Sequence, residues 1–181
     1  MQQSKRLILF FGGLILIASL LACGSTSSNT GTVVNTNPTS STSGKTPAPS
    51  QQHFAVGQVI KVGDTWQVTI NSAKTSSGSE FNKPQKTGDV FLVFSITVKN
   101  ISSQEQPISS ALNFSLLDST GQKYTETIDT DAGSTLDGKV EAGSPLKGAV
   151  VYEVPASIHQ YQLAFESDII SSGQTIWDIH V

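Results

Sequence analysis

The chain has 181 residues, 11 Lys+Arg against 14 Asp+Glu, a formal net charge of −3 and one Cys. A mildly acidic chain with no Lys/Arg cluster in its folded part lacks the basic footprint that nucleic acid requires and the charge needed to dock on anionic lipid. A single cysteine excludes an internal disulfide.

Residues 1–22 have the order of a secretory signal. Lys5 and Arg6 form a short positive region, an apolar run follows from Leu7 to Leu21, and the small residue Ala22 stands before Cys23. The run is at the short end for a bilayer span, which takes about 20 apolar residues. The residues Leu20, Leu21, Ala22 and Cys23 resemble the bacterial lipobox. The resemblance implies diacylglycerol on the Cys23 thiol, cleavage before Cys23, and a lipid-anchored chain on the extracytoplasmic face of the cell membrane. In a two-membrane cell, Gly24 after the cysteine carries no aspartate retention signal, which is compatible with the outer membrane. Loss of Lys5 and Arg6 leaves 9 basic against 14 acidic residues, about −5. A lipidated Cys23 also leaves no free thiol for catalysis or for metal ligation.

Residues 23–53 read as a tether. From Gly24 to Gln52 they are almost entirely Ser, Thr, Gly, Asn, Pro and Gln, with Lys45 the only charge and Val33, Val34 and Ala48 the only aliphatic side chains. Such a stretch buries too little apolar surface to offset chain entropy, so disorder is expected. A coil of this length reaches roughly 30 Å end to end. Its Ser/Thr density is also compatible with O-linked sugar.

From Phe54 to Val181 apolar residues return in short runs of period two between turn residues, enough chain for one core. Gln58 to Val62 and Trp66 to Lys74 are predicted to pair around Gly63-Asp64, with Trp66, Val68 and Ile70 on one face. Asp89 to Asn100 is the clearest strand, with Val90, Leu92, Phe94, Ile96 and Val98 on one face. Strands are then expected at Ala111 to Leu117, with Leu112, Phe114 and Leu116 inward, and at Gln122 to Thr127 after the Asp118-Ser119-Thr120-Gly121 turn. Further strands are expected at Leu146 to Val154, ended by Pro155, around Tyr161, Leu163 and Phe165, and from Ile176 to Val181. Seven to nine short strands with turn signals between them predict an all-β, immunoglobulin-like antiparallel β-sandwich. Trp66, Phe94, Phe114, Tyr152 and Phe165 are its expected large core members.

Three segments carry a family resemblance. Residues 88–100 (Gly-Asp-Val-Phe-Leu-Val-Phe-Ser-Ile-Thr-Val-Lys-Asn), 114–124 (Phe-Ser-Leu-Leu-Asp-Ser-Thr-Gly-Gln-Lys-Tyr) and 147–155 (Lys-Gly-Ala-Val-Val-Tyr-Glu-Val-Pro) are similar to a family of exported bacterial domains of unknown function. The resemblance implies a telokin-like sandwich behind a lipobox and a low-complexity linker. It implies no catalytic residues. Locally, Asn100 is expected to tolerate left-handed backbone, Gly121 to supply positive φ, and Pro155 to stop a strand.

The sharpest local chemistry is the acidic loop with Glu126, Asp129, Asp131, Asp137 and Glu141. Asp129-Thr130-Asp131-Ala132-Gly133 begins like a calcium loop, which would make Asp129, Asp131 and Asp137 metal candidates. It departs at Gly133, at Ser134 and at Val140, with Glu141 one place late, so a solvated polar loop is the expectation. His53, His159 and His180 share no ligand spacing, and no Gly-x-Ser-x-Gly elbow occurs. Trp66, Trp177, Tyr124 and Tyr161 are candidates for a carbohydrate or peptide platform, weighed against packing in the core. The expected function is a non-catalytic binding module without cofactor, whose partner is an envelope protein, a cell-wall polymer or a small ligand. The alternatives are a calcium-dependent or hydrolytic envelope enzyme using loop 126–141, and a structural spacer.

Overall fold

The computed structural model describes residues 32–33, 52–167 and 174–181. The expected signal segment with Leu20, Leu21 and Ala22, the expected lipidation site Cys23 and most of the expected tether lie outside the described residues. In chain order the elements are β1 (Thr32–Val33), β2 (His53–Phe54), β3 (Val59–Val62), β4 (Trp66–Ser76), β5 (Asp89–Asn100), β6 (Gln106–Ile108), α1 (Ser110–Asn113), β7 (Phe114–Asp118), β8 (Lys123–Tyr124), β9 (Glu126–Thr127), β10 (Gly138–Val140), β11 (Pro145–Pro155), β12 (Gln160–Phe165) and β13 (Thr175–His180). Seven of these strands have four residues or more, which meets the expected count.

Two sheets form the sandwich. One has the order β1-β3-β4-β5-β11-β9, the other β2-β13-β12-β7-β8, and β10 pairs with β6 beside them. All pairs are antiparallel except β13 with β2. The period-two pattern explains the shared core. Trp66, Ile70, Leu92, Phe94, Ile96, Val150 and Tyr152 point inward from the first sheet. Phe114, Leu116, Leu163, Phe165 and Trp177 point inward from the second. Removing each such side chain from water contributes roughly 1.5–3 kcal/mol. Aromatic pairs join neighbouring strands within each layer: Phe94 of β5 meets Tyr152 of β11 edge-on at 6.1 Å, and Phe114 of β7 meets Phe165 of β12 at 5.0 Å.

Strand β5 has the bounds its alternation predicts, and β3 and β4 pair around Gly63-Asp64 with the expected inward face. The hairpin partner is longer than expected, because β4 continues to Ser76 past a bulge between Ile70 and Ser72. Four expectations are corrected. Residues 110–113 form one helical turn instead of the start of a strand, and Leu112 is 65% exposed instead of inward. The cause is non-local: the Asp137 carboxylate accepts from the Ser110 N–H at 2.9 Å, and Asn113 Nδ2 donates to the Glu166 carbonyl at 2.8 Å. The strand expected at Gln122 to Thr127 is split, with Lys123–Tyr124 in one sheet and Glu126–Thr127 in the other. Asn100 works through its side chain rather than a left-handed backbone. It is fully buried, donates to the carbonyls of Val140 and Gln104, and accepts from the N–H and hydroxyl of Ser102. Finally, inside the expected tether, Thr32 and Val33 pair with Lys61 and Ile60 and cover the edge of β3, the place where an open sheet takes another strand.

Candidate functional site

The split at Thr125 makes the site. The chain leaves the second sheet at Tyr124 and enters the first at Glu126, so one short ribbon bridges two sheet edges. Glu126 sits directly opposite Tyr152 in the antiparallel register. Opposed residues project to the same face, and the face that Tyr152 occupies is the inner one. Beyond β9 the loop turns back along the outer side of β11. Asp129 shapes it: its carboxylate accepts from Asn82 Nδ2 at 2.6 Å and from the Asp131 N–H at 3.0 Å. Thr135 then bridges Ala149, whose N–H donates to the Ser134 carbonyl at 2.8 Å. Gly148 permits this approach, since a Cβ there would stand 2.7 Å from the Thr135 carbonyl oxygen.

A cavity of about 440 Å³ remains between the two edges, within the range of small-molecule sites. Its apolar lining residues are Phe114, Ala111 and Ile128, and its polar ones include Ser110, Glu126, Asp137 and Tyr152, with Lys123 and Tyr124 at the ribbon. The Ser110 hydroxyl lies 3.2 Å from each Asp137 oxygen. Ser110 is also a hydrogen-bond partner of Glu126. Burial pushes the Glu126 carboxyl above the usual range, and the Asp137 charge adds to this, opposed by the Ser110 hydrogen bond. Tyr152 is 1% exposed, and its hydroxyl has no hydrogen-bond partner among the described residues. Burial first, and the Glu126 charge second, push that phenol upward, so it stays neutral.

On the other side of the ribbon stands a complete cluster. Asp118, closing β7, accepts from the Thr120 hydroxyl at 2.6 Å, the Thr120 N–H at 2.8 Å, the Gln122 N–H at 3.0 Å and the Tyr124 hydroxyl at 2.9 Å. These bonds, led by that from the Thr120 hydroxyl, lower its pKa to about 2. Gly121, at φ 84°, closes the turn as its sequence implies.

The sequence candidates divide accordingly. Asp129 is buried and spends its carboxylate on the loop, Asp131 is exposed, and Asp137 turns to Ser110, so the three do not converge. Among the described residues no three His, Cys, Asp or Glu side chains gather as a metal site. Glu126 and Asp137 do come together, at the cavity. Trp66, Trp177 and Tyr161 are buried in the core and form no surface platform. Tyr124 packs edge-on against Tyr161 at 6.0 Å. His53 pairs with Asp178 at 2.8 Å across β2 and β13, while His159 and His180 are exposed and line no part of the cavity. Ser144-Pro145-Leu146-Lys147 has Ser-x-x-Lys spacing, which joins two side chains on a helix, but Lys147 lies in β11. Reading by sequence missed Ser110, which carries no local signal. It placed Tyr152 in the core without registering that this residue also lines the cavity and that its buried hydroxyl has no partner among the described residues.

Residues 54–176 match the family described as Domain of unknown function (DUF4352), and the chain belongs to that family. No curated protein matches the chain. Among solved structures, ycdA of Bacillus subtilis, named as a candidate lipoprotein, superposes with a TM-score of 0.57 at 19% identity. That match covers 66% of this chain and 38% of that one, so the chain spans well under half of ycdA. An uncharacterised β-sandwich protein of Clostridium difficile gives 0.52 at 18% identity over 75% and 99% of the two chains. The secreted protein MPT63 of Mycobacterium tuberculosis gives 0.54 at 11% identity over 74% and 100%. At these identities the likeness establishes the sandwich fold.

Proposed function

We propose that the chain is a lipid-anchored, extracytoplasmic binding module that takes its ligand in the cavity between β8 and β9 and performs no chemistry on it. The observation that carries this reading is the Tyr152 hydroxyl, a buried polar group at the inner wall of a cavity, lacking a partner among the described residues. A buried hydroxyl without a partner costs about 1–3 kcal/mol, and a ligand for which the wall opens at Tyr152 would remove that cost. The polar wall supports binding over catalysis. Ser110 faces a carboxylate, and no imidazole lines the cavity among the described residues. Lipidation at Cys23 rests on the lipobox resemblance, and the candidate-lipoprotein and secreted neighbours are compatible with it.

Two measurements test the two halves. The intact mass of the mature protein from its native membrane should begin at Cys23 and include two or three acyl chains; a mass retaining Met1 refutes the anchor. A screen of small polar fragments by amide NMR on the full chain should move the signals of Ser110, Glu126, Asp137 and Tyr152 together. A screen that leaves all four unmoved refutes the cavity as a binding site.

A further inference from the structure

The first sheet ends at β9 on the flank that holds the cavity and at β3 on the opposite flank, where β1 is added outside it. Strand β3 is Val59-Ile60-Lys61-Val62, three of its four residues β-branched. It pairs with β4 without a bulge and contains no proline. Its one charge, Lys61, is turned to Asp64 in the hairpin turn at 2.9 Å. Edge strands are guarded against stray pairing by proline, by bulges, by free lysine or by a covering element. Of these β3 has the covering element, and that element is β1. Thr32 and Val33 pair antiparallel with Lys61 and Ile60. The sequence marks the same place. From Gly24 to Gln52, Thr32-Val33-Val34 is the one run of three β-branched residues, so the part of the tether with strand preference is the part that pairs. The cover is shorter than the edge: β1 has two residues against four, and Val59 remains 41% exposed.

We propose that the outer edge of β3 is a seat for an extended peptide strand, and that the chain keeps this seat closed with its own tether segment Thr32–Val33. The occupant is held by main-chain hydrogen bonds, as in strand addition to a sheet edge. Because strap and seat belong to one chain, docking is intramolecular, and a free strand competes against a high local concentration of the strap. The strap thus makes the edge selective: it closes the seat to strands that bind no better than its own.

Amide hydrogen exchange and NMR on the full chain test this. In an antiparallel ladder adjacent residues turn their N–H groups to opposite sides, so one of Ile60 and Lys61 faces β1 and one of Thr32 and Val33 faces β3. Thr32→Pro with Val33→Pro therefore removes the strap's donor whichever residue carries it. The core begins at Phe54, so the change leaves the sandwich folded. The β1-facing amide should be protected in the parent, lose its protection in this variant, and keep it in a control with Ser41→Pro and Thr42→Pro. A free peptide of residues 29–36 should move the signals of Val59 to Val62 in the variant and not in the parent. Dimerisation of the variant through Val59 to Val62 likewise supports the strap, a second copy's edge having taken the place it left. Equal exchange in parent and variant overturns the strap. A peptide that leaves Val59 to Val62 unmoved in a monomeric variant, or moves them equally in the parent, overturns the closed seat.

Discussion

Two carboxylate clusters flank Tyr124, and they are built to opposite plans. Asp118 is enclosed by four donors from its own turn and from Tyr124, and its pKa falls to about 2. Glu126, on the far side of the ribbon, is pushed up by burial and faces a second carboxylate and a phenol with no partner among the described residues. The first cluster is complete without anything outside the chain; its acid is part of the fold. The second is incomplete; the hydroxyl of Thr175 and the indole N–H of Trp177 also lack partners among the described residues, but of the three only Tyr152 belongs to a residue lining the cavity. The difference shows that acidity alone does not identify a site: the question is whether the fold has already used the lone pairs.

The contrast is broken most severely at the complete cluster. Asp118→Ala removes the acceptor for four donors, and its melting temperature should fall further than that of either Gly148→Ala or Glu126→Gln. Next is Gly148→Ala, whose Cβ meets the Thr135 carbonyl and pushes the loop off β11. It should cost about 1–3 kcal/mol in urea denaturation, as overpacking does, and should weaken fragment binding because Thr135 is part of the cavity wall. Smaller again is Glu126→Gln, which should slightly raise the melting temperature of the empty protein at neutral pH, because it removes a partly buried charge that lies beside Asp137.

The two acids also differ in the sign of their pH dependence. Asp118 titrates lower in the folded chain than in the unfolded one. Its contribution is complete above about pH 4, the ordinary Asp value, and is lost as pH falls through about 2. Glu126 titrates higher in the folded chain, so its penalty is absent below about pH 4 and grows as pH rises through its elevated folded value. Melting curves of the parent and Glu126→Gln should therefore converge below about pH 4 and separate above it. Curves separated equally at all pH values would mean that Glu126 acts by shape and not by charge.

How much of this was legible in the sequence follows the range of the interactions. Strand β5 is a central strand between β4 and β11, so both of its faces and both of its edges have constant neighbours, and alternation gives its bounds directly. The Asp118 turn is equally local: Thr120, Gly121 and Gln122 lie within four residues of the carboxylate they serve. The helical turn at 110–113 is not local, because its determinants are Asp137 and Glu166. Nor is the sheet change at Thr125 visible in a polar segment that reads as one strand. Half of the cavity was visible as an acidic loop, through Glu126 and Asp137. The other half, Ser110 and the Tyr152 hydroxyl, depends on what the fold sets opposite them, and the same holds for the room that only Gly148 leaves at Thr135.

The difference between the clusters comes down to two tyrosines and one atom from each. Urea melts of Tyr124→Phe and Tyr152→Phe, run side by side on the full chain, test it most directly. The account predicts a loss of about 1–2 kcal/mol for Tyr124→Phe, which takes a hydrogen bond from an ionised carboxylate, and no loss for Tyr152→Phe, whose hydroxyl bonds to nothing among the described residues. Equal losses would contradict it, because the Tyr152 hydroxyl would then have a partner within the protein and the cavity would need no ligand to complete it.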